Sequence, residues 1–201
     1  MRYSTQTPHY PIKQNGFSLI EVLISIIILS FGLLGMVGLQ AAALQGNRDA
    51  RLQSTAVSLA RDLAEMMRSN KEVARTASNP YLGVFTTDPL AAASPSYCLK
   101  AGSLPSACAS TTAIANAQMT EWLARVSSDL PGAQVVVCID SNPYHASGRP
   151  RWACDVTGTA PTAVIKIGWT RASTNRKNTN AAALERASDP SVVFPITAGT
   201  E

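Results

Sequence analysis

The residue with the most unusual setting is Glu21, the single charge within Phe17 to Leu39, where 16 of 23 side chains are apolar. A carboxylate five positions into an apolar helix costs about 2.5–3.5 kcal/mol on membrane-insertion scales, so it needs a partner. Four cysteines, Cys98, Cys108, Cys138 and Cys154, follow the apolar stretch, with nine, twenty-nine and fifteen residues between them. Those gaps do not give the C-x2-C pairs of zinc sites, and two disulfides in an oxidising compartment fit better than free core thiols. Nearest-neighbour pairing, Cys98 with Cys108 and Cys138 with Cys154, is one of three connectivities. It is favoured for the second pair because Cys138 ends one strand candidate and Cys154 lies in the next.

Other reactive side chains offer less. His145 sits in Asn142-Pro143-Tyr144-His145-Ala146-Ser147-Gly148, a turn-rich stretch that reads as an exposed loop. No G-x-S-x-G elbow, glycine-rich phosphate loop or H-E-x-x-H accompanies it, so no enzyme, cofactor or resident metal is expected. Asp140 and Asp155 would make a metal site only if they were adjacent. Arg171, Arg176, Lys177 and Arg186 punctuate a stretch of Asn, Thr and Ser. Counterion release makes such a loop a candidate phosphate contact, but without interleaved aromatics a solvated loop is the simpler reading than DNA binding.

The elements that must carry these residues divide the chain unevenly. At about 1.5 Å per residue, positions 17–39 span about 35 Å as a helix, enough to cross a hydrocarbon core of about 30 Å. The other residues are about 43% apolar, ordinary for a globular domain. The apolar segment argues against a purely cytosolic enzyme. The 201 residues leave room for one domain beyond the membrane, and the formal charge of +4, without runs of like charge, names no partner.

Residues 1–16 hold Arg2 and Lys13, no acid, and Pro8 and Pro11, and read as a short basic leader that stays cytoplasmic. Arg48 and Arg51 offset that bias, and the cysteines settle the orientation with the carboxy-terminal part periplasmic. Gln40-Ala41-Ala42-Ala43 would suit an ordinary signal peptidase, so a cleaved signal or a plain signal anchor is the simplest alternative.

Gly16-Phe17-Ser18-Leu19-Ile20-Glu21-Val22 at the junction of leader and apolar helix resembles the class III signal of type IV prepilins. The resemblance implies cleavage by a prepilin peptidase between Gly16 and Phe17, methylation of the new amino terminus at Phe17, and retention of the helix. It also implies that Glu21 sets the axial register of subunits by pairing with a neighbour's terminal ammonium. A pair between Glu21 and its own amino terminus, about one helical turn away, is the local alternative.

The helix continues beyond the membrane, with Leu52, Ala56, Leu59, Leu63 and Met66 on one face and an Arg61–Glu65 pair on the other. It ends near Asn70, before Asn79-Pro80. Gly32, Gly35 and Gly38 permit close helix approach or local unwinding. Residues 71–110, rich in Ala, Ser, Thr and Pro, read as a surface excursion. Ser110 or Thr111 caps a second helix with Met119, Trp122, Leu123 and Val126 inward, ended by Leu130-Pro131-Gly132. Strands are expected at Gln134–Ile139, Arg151–Val156, Ala163–Trp169 and, at an edge because of Pro195, Ser191–Ile196.

One long helix followed by a small antiparallel sheet is an α+β architecture, and it is the order of the pilin fold. Four parts follow: leader 1–16, membrane half 17–39, amphipathic half 40–70 and a periplasmic globular domain 71–201. Ala60 to Asn70, Asp129-Leu130-Pro131-Gly132 before the Cys138 strand, and Ile165-Lys166-Ile167-Gly168-Trp169 resemble the PilV group of minor pilins. The pseudopilins of type II secretion are the close rival. The implied function is initiation, assembly or modification of type IV pili. The implied partners are the prepilin peptidase, other minor and major pilins and the inner-membrane assembly platform, and the implied location is the inner membrane and then the fibre. A signal-anchored periplasmic binding protein that never polymerises is the alternative from another class.

Overall fold

The structure is a computed structural model that describes residues 16–76, 79–100, 108–158, 162–173 and 184–196. The chain divides into two compact units, residues 1–47 and 48–201. The leader, apart from Gly16, lies outside the described residues, as do Arg176 and Lys177.

Helix α1, Leu19–Ser69, runs through 51 residues. In the first unit all its side chains are exposed, including every Leu, Ile, Val, Phe and Met from Leu19 to Leu44. Its best 18-residue window has a mean hydropathy of 2.6, so the helix is long and apolar enough to cross a membrane. From Ala56 the same helix acquires a buried stripe of Ala56, Leu59, Ala60, Leu63, Ala64 and Met67. Leu52 and Met66 are half-buried at its margin. Glu65 pairs with Arg68, one turn on, in place of the expected Arg61.

The helix ends as expected, and a single turn α2, Lys71–Ala74, follows. Asn70 fixes this corner by donating from Nδ2 to the Thr111 carbonyl at 3.0 Å and to the Tyr81 hydroxyl at 3.3 Å. The segment expected to be a surface excursion instead supplies the edge strand β1, Gly83–Phe85, and buries Tyr81, Phe85 and Leu90. Its sparse apolar residues are spaced by prolines and small residues, so they carry no periodicity, yet Tyr81, Phe85 and Leu90 fill the core.

Helix α3, Thr111–Asp129, starts at Ser110, whose Oγ accepts from the Ala113 N–H at 3.1 Å. That satisfies one of the four N–H groups a helix start leaves orphaned. Its inward face is Met119, Trp122, Leu123 and Val126, all buried, and the Trp122 indole N–H donates to the Leu59 carbonyl of α1 at 2.8 Å. Gly132 turns the chain at φ +57, where a Cβ would stand 2.1 Å from Thr170 Oγ1, so only glycine fits.

The main sheet is antiparallel, in the order β1, β2 (Gln134–Asp140), β3 (Thr162–Gly168), β6 (Val192–Ile196). A separate pair joins β4 (Arg171–Ala172) to β5 (Leu184–Glu185). Val135 opposes Ile167 and Val137 opposes Ile165. These four enter one core with the α1 and α3 stripes, Trp169, Val192 and Ile196. Pro195 lies in β6 at the sheet edge, where its missing N–H costs no ladder bond.

The expected strand at Arg151–Val156 does not form. Those residues belong to a connection between β2 and β3 that folds back on itself. Within it Arg151 N–H donates to the Pro143 carbonyl at 3.0 Å, and His145 N–H to the Arg149 carbonyl at 2.8 Å.

Candidate processing site, assembly residue and disulfide-bonded strap

Gly16, Phe17 and Ser18 precede the first helical residue. No side chain crowds Gly16, and Phe17 is 85% exposed. The Gly16–Phe17 bond therefore lies outside the helix and is exposed among the described residues. The helix starts because Ser18 offers its carbonyl to the N–H groups of Glu21 and Val22, at 3.0 and 3.3 Å. Glu21 lies in the first turn, where the helix dipole favours an anion. Its backbone carbonyl accepts from Ser25 Oγ at 2.7 Å. Among the described residues its carboxylate forms no ion pair.

Cys98 is bonded to Cys108 and Cys138 to Cys154. The second bond closes differently from the expectation: Cys154 is in a loop, and the strand partner opposite Cys138 is Val164 of β3. The connection it ties down, residues 141–157, is a strap across the sheet face turned away from the helices.

Beneath that strap lies a buried ion pair. Lys166 of β3 has a fully buried side chain, as does Asp140 of β2, and Lys166 Nζ donates to Asp140 Oδ2 at 2.5 Å. The ammonium also donates to the strap carbonyls of Ala153 at 2.7 Å and Trp152 at 3.4 Å. Asp140 Oδ1 accepts the N–H groups of Asn142 at 2.9 Å and Asp155 at 3.1 Å. Burial raises the Asp140 pKa, but the hydrogen bond from Lys166, the two backbone N–H bonds and the Lys166 charge outweigh it and hold the carboxyl below its usual range.

The metal site conceived for Asp140 and Asp155 is not built. Asp140 is committed to Lys166, and Asp155 to Thr157 and Arg151, its hydrogen bonds from Thr157 being the main cause of its lowered pKa. Cys138, Asp140 and Cys154 do converge within 4.8 Å. The disulfide has consumed both thiolates, so this trio lacks the ligand chemistry of a soft-metal site. His145 is exposed at the strap tip. Of the basic stretch, Arg171 lies over the Trp169 ring at 4.8 Å and Arg186 Nη1 donates to the Thr86 carbonyl at 3.2 Å. Both groups serve the domain's own packing.

Lys166 was missed because a lysine alternating with Ile165 and Ile167 reads as a solvent-facing residue. Asp140, 26 positions earlier, carries no local mark of being its partner.

Comparison with known proteins separates the chain into two adjoining matches. Residues 12–37 match the prokaryotic N-terminal methylation motif, and residues 38–122 match the family model described as Type IV pilin Tt1218. No curated protein and no solved structure matches the chain. The methylation motif brackets Gly16, Phe17 and Glu21, and the pilin match covers the helix from Gly38, β1 and most of α3. That family is structural, not enzymatic, and the long apolar helix with its four-stranded sheet fits the pilin fold. Over residues 38–122 the chain is thus similar to type IV pilins, and the N-terminal methylation motif directly precedes that match.

Proposed function

We propose that the protein is a minor pilin of the PilV kind, which initiates, assembles or modifies type IV pili. In this reading a prepilin peptidase cuts between Gly16 and Phe17, Phe17 is methylated, and residues 17–39 stay in the inner membrane. The domain folds in the periplasm with its disulfides formed. The assembly platform then moves the subunit into a fibre beside other minor and major pilins.

The observation that carries this reading is the wholly exposed apolar half of α1 with one carboxylate in its first turn. A plain anchor needs the apolar surface but has no use for the acid. A subunit packed among like helices has a use, because the carboxylate neutralises a neighbour's terminal ammonium in low dielectric.

The test is Glu21→Gln. Losing the carboxylate leaves the neighbour's ammonium unpaired, at a cost of several kcal/mol to assembly. The expected protein is cleaved, membrane-held and disulfide-bonded, crosslinks poorly to partner pilins, and supports few or no pili on shearing. Normal pili and crosslinks, in a strain where deletion abolishes pili, would contradict the register role. A deletion that stops secretion and spares pili would instead identify a pseudopilin.

A further inference from the structure

The strap has a construction that its length and turns alone do not require. Its two ends are fastened to each other: Ser141 N–H donates to the Asp155 carbonyl at 2.6 Å, and a Cβ on Gly158 would stand 2.4 Å from Ser141 Cβ. Trp152 packs flat enough on Gly168 that a Cβ there would meet its ring at 2.8 Å. Next to these contacts, Ala153 and Trp152 present their carbonyls to the Lys166 ammonium. Three of the four groups around that charge come from Asp140 and residues 152–153, and Cys154, the very next residue, is the one bonded to the sheet. Its Sγ lies 3.9 Å from Lys166 Nζ. A buried ammonium is tolerated only while its hydrogen-bond partners are held in place. Cys154 is exposed, so a reductant can reach the bond that holds them.

We infer that the Cys138–Cys154 disulfide is a redox-sensitive lock on this strap, and that it governs whether water reaches the Lys166–Asp140 pair. With the bond closed, the strap completes the ammonium's coordination and covers Lys166 on the outer sheet face. Reduction by a dithiol breaks the S–S bond, forms two S–H groups and leaves the dithiol oxidised to its own disulfide. The strap then opens as a local unit while the helix-facing core stays intact. Oxidation by a disulfide-bearing partner reverses the step, so the outer face is completed only after oxidation. The Cys98–Cys108 bond, near the start of α3, has no part in this.

The test is amine acylation with N-hydroxysuccinimidyl acetate, read by peptide mapping, with exposed Lys71 and Lys100 as internal standards. In the oxidised protein Lys166 is expected to be protected relative to both. After dithiol treatment, or in a Cys138→Ser/Cys154→Ser variant, Lys166 should react about ten-fold faster or more, while the amides of α3 keep their hydrogen-exchange protection. A Cys98→Ser/Cys108→Ser variant should leave Lys166 protected. Lys166 reactive in the oxidised protein, or still protected in the first variant, overturns the proposal. Labelling that appears only together with loss of α3 protection also overturns it, because the bond would then hold the whole domain rather than the strap.

Discussion

Helix α1 is one element with two kinds of surface. From Leu19 to Leu44 every large apolar side chain is exposed, whereas from Ala56 to Met67 six residues on one face are buried in the core of their own domain. Both halves are helical although the first carries Gly32, Gly35 and Gly38 and the second no glycine, so helix propensity does not set what each surface meets. What separates them is the width of the apolar surface. The second half has a stripe that one sheet and one helix can cover, with Arg61, Asp62 and Glu65 outside it. The first half is apolar all round and interrupted by a single acid, a surface suited to lipid and other helices. In the proposed reading its partners are lipid and the helices of neighbouring subunits.

The largest effect expected from this contrast lies in the second half. Trp122→Ala removes a fully buried ring and its hydrogen bond to Leu59, and should cost about 3–5 kcal/mol of domain stability. Leu63→Ala, also fully buried, should cost about 2–5 kcal/mol. Both are read by denaturant unfolding of the full chain in detergent. Leu33→Ala, on an exposed site of the first half, should leave that unfolding transition in place. A comparable loss there would mean that the two halves do not differ in what they stabilise.

An effect of similar size is expected at the outer sheet face. Lys166→Met leaves the Asp140 carboxylate buried without its cation, and should destabilise by about 3–5 kcal/mol. The pH dependence follows from the lowered Asp140 pKa. A carboxyl whose folded pKa lies below its unfolded value of about 3.9 adds stability above that value, and the stability is lost as pH falls through the folded pKa. Thermal unfolding should therefore weaken below about pH 4, and Asp140→Asn should be less stable at neutral pH with a flatter acid limb.

A smaller effect is expected at alkaline pH. Burial raises the pKa of Tyr81, outweighing its hydrogen bond with Asn70. Its contribution is fully present below the unfolded value of about 10 and is lost as pH rises through the raised folded value. Tyr81→Phe should lessen the loss of stability above pH 10, which thermal scans at pH 9 and 11 would measure.

What the sequence discloses follows the same division. Glu21 stands out because its neighbours in sequence are its neighbours on the helix, and nothing else there is charged. The α3 cap at Ser110, the inward Trp122 and the alternation Ile165, Ile167, Trp169 are local patterns too, and the structure places them as they read. The fold class is legible for that reason. β1 is not, because three residues between Pro80 and Pro89 hold no period. Neither is the Lys166–Asp140 pair, since the cation, the anion and the carbonyls that satisfy it come from three separate segments. The strap at residues 151–156 reads as a strand by composition, and loses that structure because its backbone groups serve Asp140 and Lys166.

The claim on which the functional account rests is that this apolar helix is a processed pilin segment and not a signal or a plain anchor. Amino-terminal sequencing and intact mass of the membrane-held protein, made with and without a prepilin peptidase, test it most directly. The expected chain begins at N-methylated Phe17 only when the peptidase is present, lacks the first 16 residues and still partitions with membrane. A terminus near Ala43, or an uncut chain in the presence of an active peptidase, would contradict it.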